Sequence, residues 1–320
     1  MLAKGTSNKT LQILQAAEQD GYGVLAAIAY NVEHVTALVR AAESSQSPLI
    51  LQLFPSTLKQ LPSLVYAASA ACKGASVPIS LHLDHAQDED QIRHVVDTMP
   101  FDSIMVDMSH HEHHENLQKT KELTRLCHQK GIAVEAESGR INGGEEGIAD
   151  TGDLEALFTS PEEVEEFLGA EVDLLAPSIG NVHGDYPPAG PQLDFDRLKG
   201  IRQQINGRVR IALHGTNDFS EELTKECIAA GTTKFNVNKL LLECWNKFLK
   251  HNSHLSIVQL IDQGIDILQE ETERWMEVCG SAGRMRLATK TSAASMEINT
   301  RGKMVPGCVW VHAELQSESE

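Results

Sequence analysis

Short apolar runs recur along the whole chain, separated by stretches whose apolar positions follow a helical spacing. The runs are Val24–Ala29, Leu49–Phe54, Ile79–Leu83, Ser103–Met108, Ala133–Glu137, Leu174–Ile179, Arg210–Leu213 and Lys234–Val237. Apolar runs of this length, alternating with helical segments, predict a parallel sheet of βα units. Eight such strands predict a closed (β/α)8 TIM barrel, of α/β class, forming a single domain over residues 1–284. Helix punctuation agrees with this. Ser160-Pro161-Glu162-Glu163 supplies an N-cap, a first-turn proline and a capping-box glutamate before Val164, Phe167 and Leu168. The stretch Ile141–Leu157, rich in glycine and acid, predicts a long loop after the fifth strand, and such loops often carry function. From residue 285 to 320 the pattern decays around one apolar island at Cys308–Val311, which predicts a poorly packed tail.

The polar residues that interrupt these runs fall at strand ends, where TIM-barrel enzymes keep their active sites. Strand three ends in His82-Leu83-Asp84-His85, strand six runs into Gly180-Asn181-Val182-His183-Gly184, and strand seven into His214-Gly215. Three imidazoles from separate strand ends make the donor set of a catalytic zinc, which takes three protein ligands and keeps a fourth position open. An all-imidazole set favours Zn2+ over magnesium. His85, His183 and His214 are therefore the candidate metal ligands, and Asp84, beside one of them, is the candidate acid/base. His82 shares a strand face with Asp84 and is expected either to support the site from behind or to be structural. The cluster His110-His111-x-His113-His114 follows strand four and is expected to form a solvated face.

Charge and composition narrow the class. The apolar fraction of 41% supports a large core, and the aromatic fraction of 5% makes it mostly aliphatic. A net charge of −18 argues against nucleic acid or anionic membrane as partners, so an anionic substrate must be held by local donors. No apolar stretch is long enough to span a bilayer, and the first residues lack a secretory apolar region, so the expected location is the cytoplasm. The six cysteines form no C-x-x-C pair, as expected of reduced core thiols.

The order of motifs adds a family resemblance. His82-x-Asp84-His85, Glu135-x-Glu137-Ser138-Gly139, Gly143-Gly144-Glu145-Glu146, Gly180–Gly184, His214-Gly215 and Lys234-Phe235-Asn236-Val237 resemble the successive motifs of the zinc-dependent class II ketose-bisphosphate aldolases. Asp194-Phe195-x-Arg197-Leu198 and Val278–Ala282 are closest to the tagatose-bisphosphate aldolase branch, and the similarity spans residues 8 to 284. The resemblance implies reversible cleavage of a ketohexose 1,6-bisphosphate to the two triose phosphates. Asp84 would take the C4 hydroxyl proton, and Glu146 would move the proton beside the ketone. Glu137 and Asp107 would lie at or near the metal, and Ser109 would line the site. Phosphate would fall to Gly184, Gly215, Asn217, Asn236, Asn238 and Lys239, with Asn31 near the first strand. A homo-oligomer, dimer or tetramer, is also implied.

The same loops depart from the family. Thr216-Asn217-Asp218 stands where a small residue and serine are usual, Lys239 replaces threonine or serine, and Tyr186-Pro187-Pro188 replaces a turn that often carries lysine. Leu25, Ala27 and Ile28 also replace residues common near the first strand. An aldolase acting on a different or less phosphorylated sugar, or a zinc-binding barrel without turnover, are the alternatives. Lys234 is not expected to act as an imine-forming nucleophile, because it shares its strand face with Asn236 and zinc would replace that chemistry.

Overall fold

The computed structural model describes residues 7–144 and 157–285. Eight strands close a barrel: β1 (Val24–Ile28), β2 (Leu49–Leu53), β3 (Ile79–Ala86), β4 (Ser103–Val106), β5 (Ala133–Ser138), β6 (Leu174–Pro177), β7 (Arg210–Leu213) and β8 (Thr232–Val237). All neighbours pair in parallel, and β8 pairs back onto β1. The fold is the expected (β/α)8 TIM barrel. The expected strand limits shift at the ends; β3 in particular continues past Leu83 to Ala86.

Two-residue periodicity sorts the barrel into two environments. Leu25, Ala27, Leu51, Leu53, Leu81, Leu83, Ile104, Val134, Leu213 and Phe235 point outward and merge with the apolar faces of the surrounding helices in one buried cluster. Inward, Val24, Ala26, Ile50 and Leu174 pack against Ile13, Leu14 and Ala17 of the helix Lys9–Asp20, which stops the lower end of the barrel. Met105, Ala176 and Ala212 form a second apolar group. Towards the strand ends the inward positions turn polar: His82 and Asp84 on β3, Glu135 and Glu137 on β5, and Lys234 on β8 are all buried.

Helix starts follow the chain's own signals. Asn8, Asn31, Asp88, Ser160, Asp194, Ser220 and Ser256 each cap a helix by accepting from a backbone N–H inside its first turn. The capping box is formed as expected: Ser160 Oγ accepts from Glu163 N at 3.2 Å, and Glu163 Oε2 from Ser160 N at 2.7 Å. Among the described residues no helix is long and apolar enough to cross a membrane, and Cys72, Cys127, Cys227, Cys244 and Cys279 are free thiols. The acidic part of the loop after β5, with Glu146, and the tail at 286–320 lie outside the described residues.

Candidate metal centre and active site

The three candidate ligands reach one point by three different routes. His85 sits at the end of β3 with φ 47°, a left-handed conformation rare for a residue with a side chain. The register between β3 and β4 shifts between Leu83 and Ala86, which marks a bulge there. A bulge re-aims a side chain that strict alternation would send outward, so Asp84 and His85, adjacent in sequence, both face the site. His214 directly follows β7. His183 lies beyond β6 in a two-residue ladder, Val182–His183, paired with Asn142–Gly143. Glycine is required on both sides of that ladder. A Cβ on Gly143 would stand 2.1 Å from His183 O, and one on Gly215 would stand 2.3 Å from Val182 O.

One donor atom from each of His85, His183 and His214 falls within 4.8 Å of the others, and all three residues are buried. The other ring nitrogens of two of them are held by carboxylates. His85 Nδ1 meets Asp107 Oδ2 at 2.9 Å, and His214 Nε2 meets Glu135 Oε1 at 2.7 Å. With those nitrogens donating, His85 Nε2 and His214 Nδ1 turn lone pairs toward each other across 3.0 Å. His183 Nε2 is buried without a hydrogen-bond partner. Two imidazole nitrogens facing each other and an orphaned third fit a shared cation, and the donor set suits a divalent ion that accepts imidazole.

The carboxylates divide by role. Asp84 receives Asn236 Nδ2 at 3.1 and 2.9 Å on its two oxygens. Burial works to raise its pKa, but His85, His82, Lys234 and His214 outweigh it and hold the carboxyl well below the usual range. Asp107 accepts from Ser109 Oγ at 2.7 Å as well as from His85, and so braces a candidate ligand. Glu137 is different: burial, and then the charge of Asp107, push its pKa up to about 8. It accepts from Ile141 N at 2.8 Å, and with His85 and Asp107 it forms a second group of ligand spacing beside the histidine trio.

The candidate phosphate residues scatter more. Gly215 and Asn236 line the histidine pocket, and Asn238 lies at its edge. Gly184, Asn217, Asn238 and Lys239 border an adjoining cleft of about 480 Å³, walled on its far side by Leu242, Asn246 and Lys250. Asn217 Nδ2 donates to Gly184 O at 3.1 Å. Lys239 pairs with Asp185. Asn31 instead caps the helix Val32–Ser44, accepting from His34 N at 2.8 Å. The histidine cluster after β4 is only partly solvated: the His110 and His111 rings lie 4.1 Å apart, and His113 bridges Glu163 at 3.2 Å and Glu166 at 2.6 Å. These histidines form no metal group among the described residues.

Three buried participants stand outside the candidate list. Glu135 braces His214, and Lys234 Nζ lies 3.0 Å and 2.8 Å from its two oxygens. Gln52 on β2 is fully buried, and neither of its amide atoms has a partner. Its signal in the sequence was a lone amide inside Leu49–Phe54.

Comparison with known proteins gives this geometry a context. A family profile described as class II fructose-bisphosphate aldolase matches residues 8–284. A putative fructose-bisphosphate aldolase of Coccidioides immitis is 42% identical over 287 residues, covering 87% of this chain and 95% of that protein. A fructose-bisphosphate aldolase of Streptococcus pyogenes serotype M1 is 35% identical over 232 residues, covering 71% and 77%. The crystal structure of a putative fructose-1,6-bisphosphate aldolase from Coccidioides immitis superposes with a TM-score of 0.85 at 43% identity, over 87% of this chain and 98% of the other. The chain belongs to the class II fructose-bisphosphate aldolase family and is an aldolase.

Proposed function

We propose that the protein is a zinc-dependent aldolase that reversibly cleaves a ketohexose 1,6-bisphosphate, of fructose or tagatose type, to dihydroxyacetone phosphate and glyceraldehyde 3-phosphate. One observation carries the reading: His85, His183 and His214 converge while Asp107 and Glu135 hold the outer nitrogens of two of them. Bound zinc would supply Lewis acidity to the ketone and its neighbouring oxygen. The chain does the rest. Asp84, ionised and fixed by Asn236, accepts the C4 hydroxyl proton as the bond between C3 and C4 breaks. The electron pair of that bond passes into the ketone fragment, which takes a proton before it leaves; resemblance assigns that delivery to Glu146. Gly184, Gly215, Asn217 and Asn238 border the space where a phosphate would lie. A cytosolic homo-oligomer belongs to the same reading.

A coupled assay with fructose and tagatose 1,6-bisphosphates, with and without chelator, tests it. Chelator-sensitive cleavage that zinc restores is expected, and the better isomer fixes the C4 preference. Cleavage that persists in chelator overturns the metal mechanism.

One observation favours the less phosphorylated substrate. Lys239, the cation at the start of the helix Lys239–Asn252, pairs with Asp185 and also faces the charges of Asp218 and Glu243. Asp185→Asn should therefore lower KM for the bisphosphate by a few-fold and leave kcat unchanged. An unchanged KM ratio between bisphosphate and monophosphate would show that Lys239 does not meet the substrate.

A further inference from the structure

The geometry points to Lys234 as the residue that positions both halves of the active site, the acid/base carboxylate through Asn236 and the metal ligand His214 through Glu135. The inference rests on the aldolase reading above and adds a role for a lysine that this reading leaves idle. Lys234 is 0% exposed, and its ammonium lies 2.7 Å from Asn236 Oδ1 and 3.0 Å from Glu135 Oε1. An ammonium can only donate, so the atom of Asn236 that faces it must be the carbonyl oxygen. The amide nitrogen is thereby turned toward Asp84, where it reaches both carboxylate oxygens at 3.1 and 2.9 Å, and toward His214 Nδ1 at 3.2 Å.

Without that ammonium an amide could present either end to Asp84, and its oxygen would repel the carboxylate. Glu135 is the second arm. It receives His214 Nε2 at 2.7 Å, which directs the Nδ1 lone pair to the ion site, and Lys234 balances the charge of the buried carboxylate that does so. One buried cation thus sets the orientation of two side chains on two strands, which is the support a site needs for its reacting groups to stay aligned. Glu135 and Asn236 already occupy the lysine, which leaves it no part as a nucleophile.

The test is a double-mutant cycle on the zinc-loaded full chain. Lys234→Met should lower kcat by about 100-fold with KM within a few-fold, the scale expected of a misplaced catalytic group. Combined with Asn236→Ala, the loss in kcat should fall well short of the product of the single losses, because the lysine acts through the amide. A purely structural lysine would give losses that multiply. Lys234→Met/Glu135→Met replaces the buried pair with apolar side chains of similar volume, a change that folds often tolerate. That variant should melt near the wild type yet bind zinc roughly 10- to 100-fold more weakly in competition with a chromophoric chelator. Unchanged zinc affinity in a folded double variant, or multiplying losses in the cycle, overturns the proposal. If the wild type cleaves no ketose phosphate, the aldolase reading fails, while the zinc affinity of folded Lys234→Met, which keeps Glu135, set against that of the double variant still reports on Lys234.

Discussion

The two ends of the barrel interior are built by the same eight strands and bury opposite chemistry. At the lower end Val24, Ala26, Ile50 and Leu174 meet Ile13 and Leu14, and the unpaired polar atoms there include the hydroxyls of Ser80 and Thr232 and Nε of Arg210. Asn8 seals that end by donating to Asp102 O at 2.7 Å and to Gly131 O at 2.9 Å. At the upper end the buried unpaired atoms belong to His82, His183, Glu137 and Gln52. Leaving one such group without a partner costs about 1–3 kcal/mol, and at the upper end these groups gather around the candidate ion site. The bulge at His85 belongs to the same end, and strain of this kind gathers where function holds it in place. Stability and chemistry are therefore separable along the barrel axis.

The largest effect that separates them is expected at Asp84. Asp84→Ala removes the proton acceptor and should lower kcat by about 10²- to 10⁴-fold. Zinc content should stay at about one per chain, because His85, His183 and His214 remain. Loss of the metal, measured by elemental analysis, would show that Asp84 serves the ion rather than the proton.

The reverse experiment lies at the lower end. Leu14 is 0% exposed between the helix Lys9–Asp20 and the barrel floor. Leu14→Ala should destabilise the fold by about 2–5 kcal/mol in urea unfolding. Activity measured at low temperature should be unchanged. A matching fall in kcat would mean that the two ends are coupled, for which the hydrogen-bonded chain from Thr10 through Ser103 to His82 offers a route.

How much of this was legible in the chain follows from the same division. The strands could be read because a strand buried on both faces has to be an almost unbroken apolar run, and the candidate ligands because His-Leu-Asp-His, His-Gly and Asn-Val-His-Gly stand out at or beyond the ends of such runs. The bulge could not be read, because it depends on the register of β3 against β4 rather than on either sequence. Glu135 and Lys234 each stand in a recognisable motif, but their pairing could not be read, because only barrel closure brings residues 99 positions apart into contact. The loops fared worst. Lys239 meets Asp185 across 54 positions, and Asn31 caps a helix, because the fate of a surface polar group is set by whichever neighbour arrives.

The smallest effect sharpens the contrast between buried imidazoles inside the barrel and one in the helical shell. Burial opposes charge on His85, yet Asp84, Asp107 and Glu137 reverse it and push the ring up to about 10. His34, on the helix Val32–Ser44, is 4% exposed, packs edge-on against Trp245 at 4.6 Å and leaves Nε2 without a partner. Burial alone pushes its pKa down from 6.5 to about 4. The folded state therefore favours neutral His34, and its contribution is complete above pH ~6.5, shrinks as pH falls, and is lost by about pH 4. The whole swing is about 3 kcal/mol. Urea unfolding of chelator-treated protein between pH 7 and 4 should show wild type losing this much more stability than His34→Leu, which carries no ionisable ring. Equal losses in the two proteins would show that burial of His34 does not set the shell's acid sensitivity.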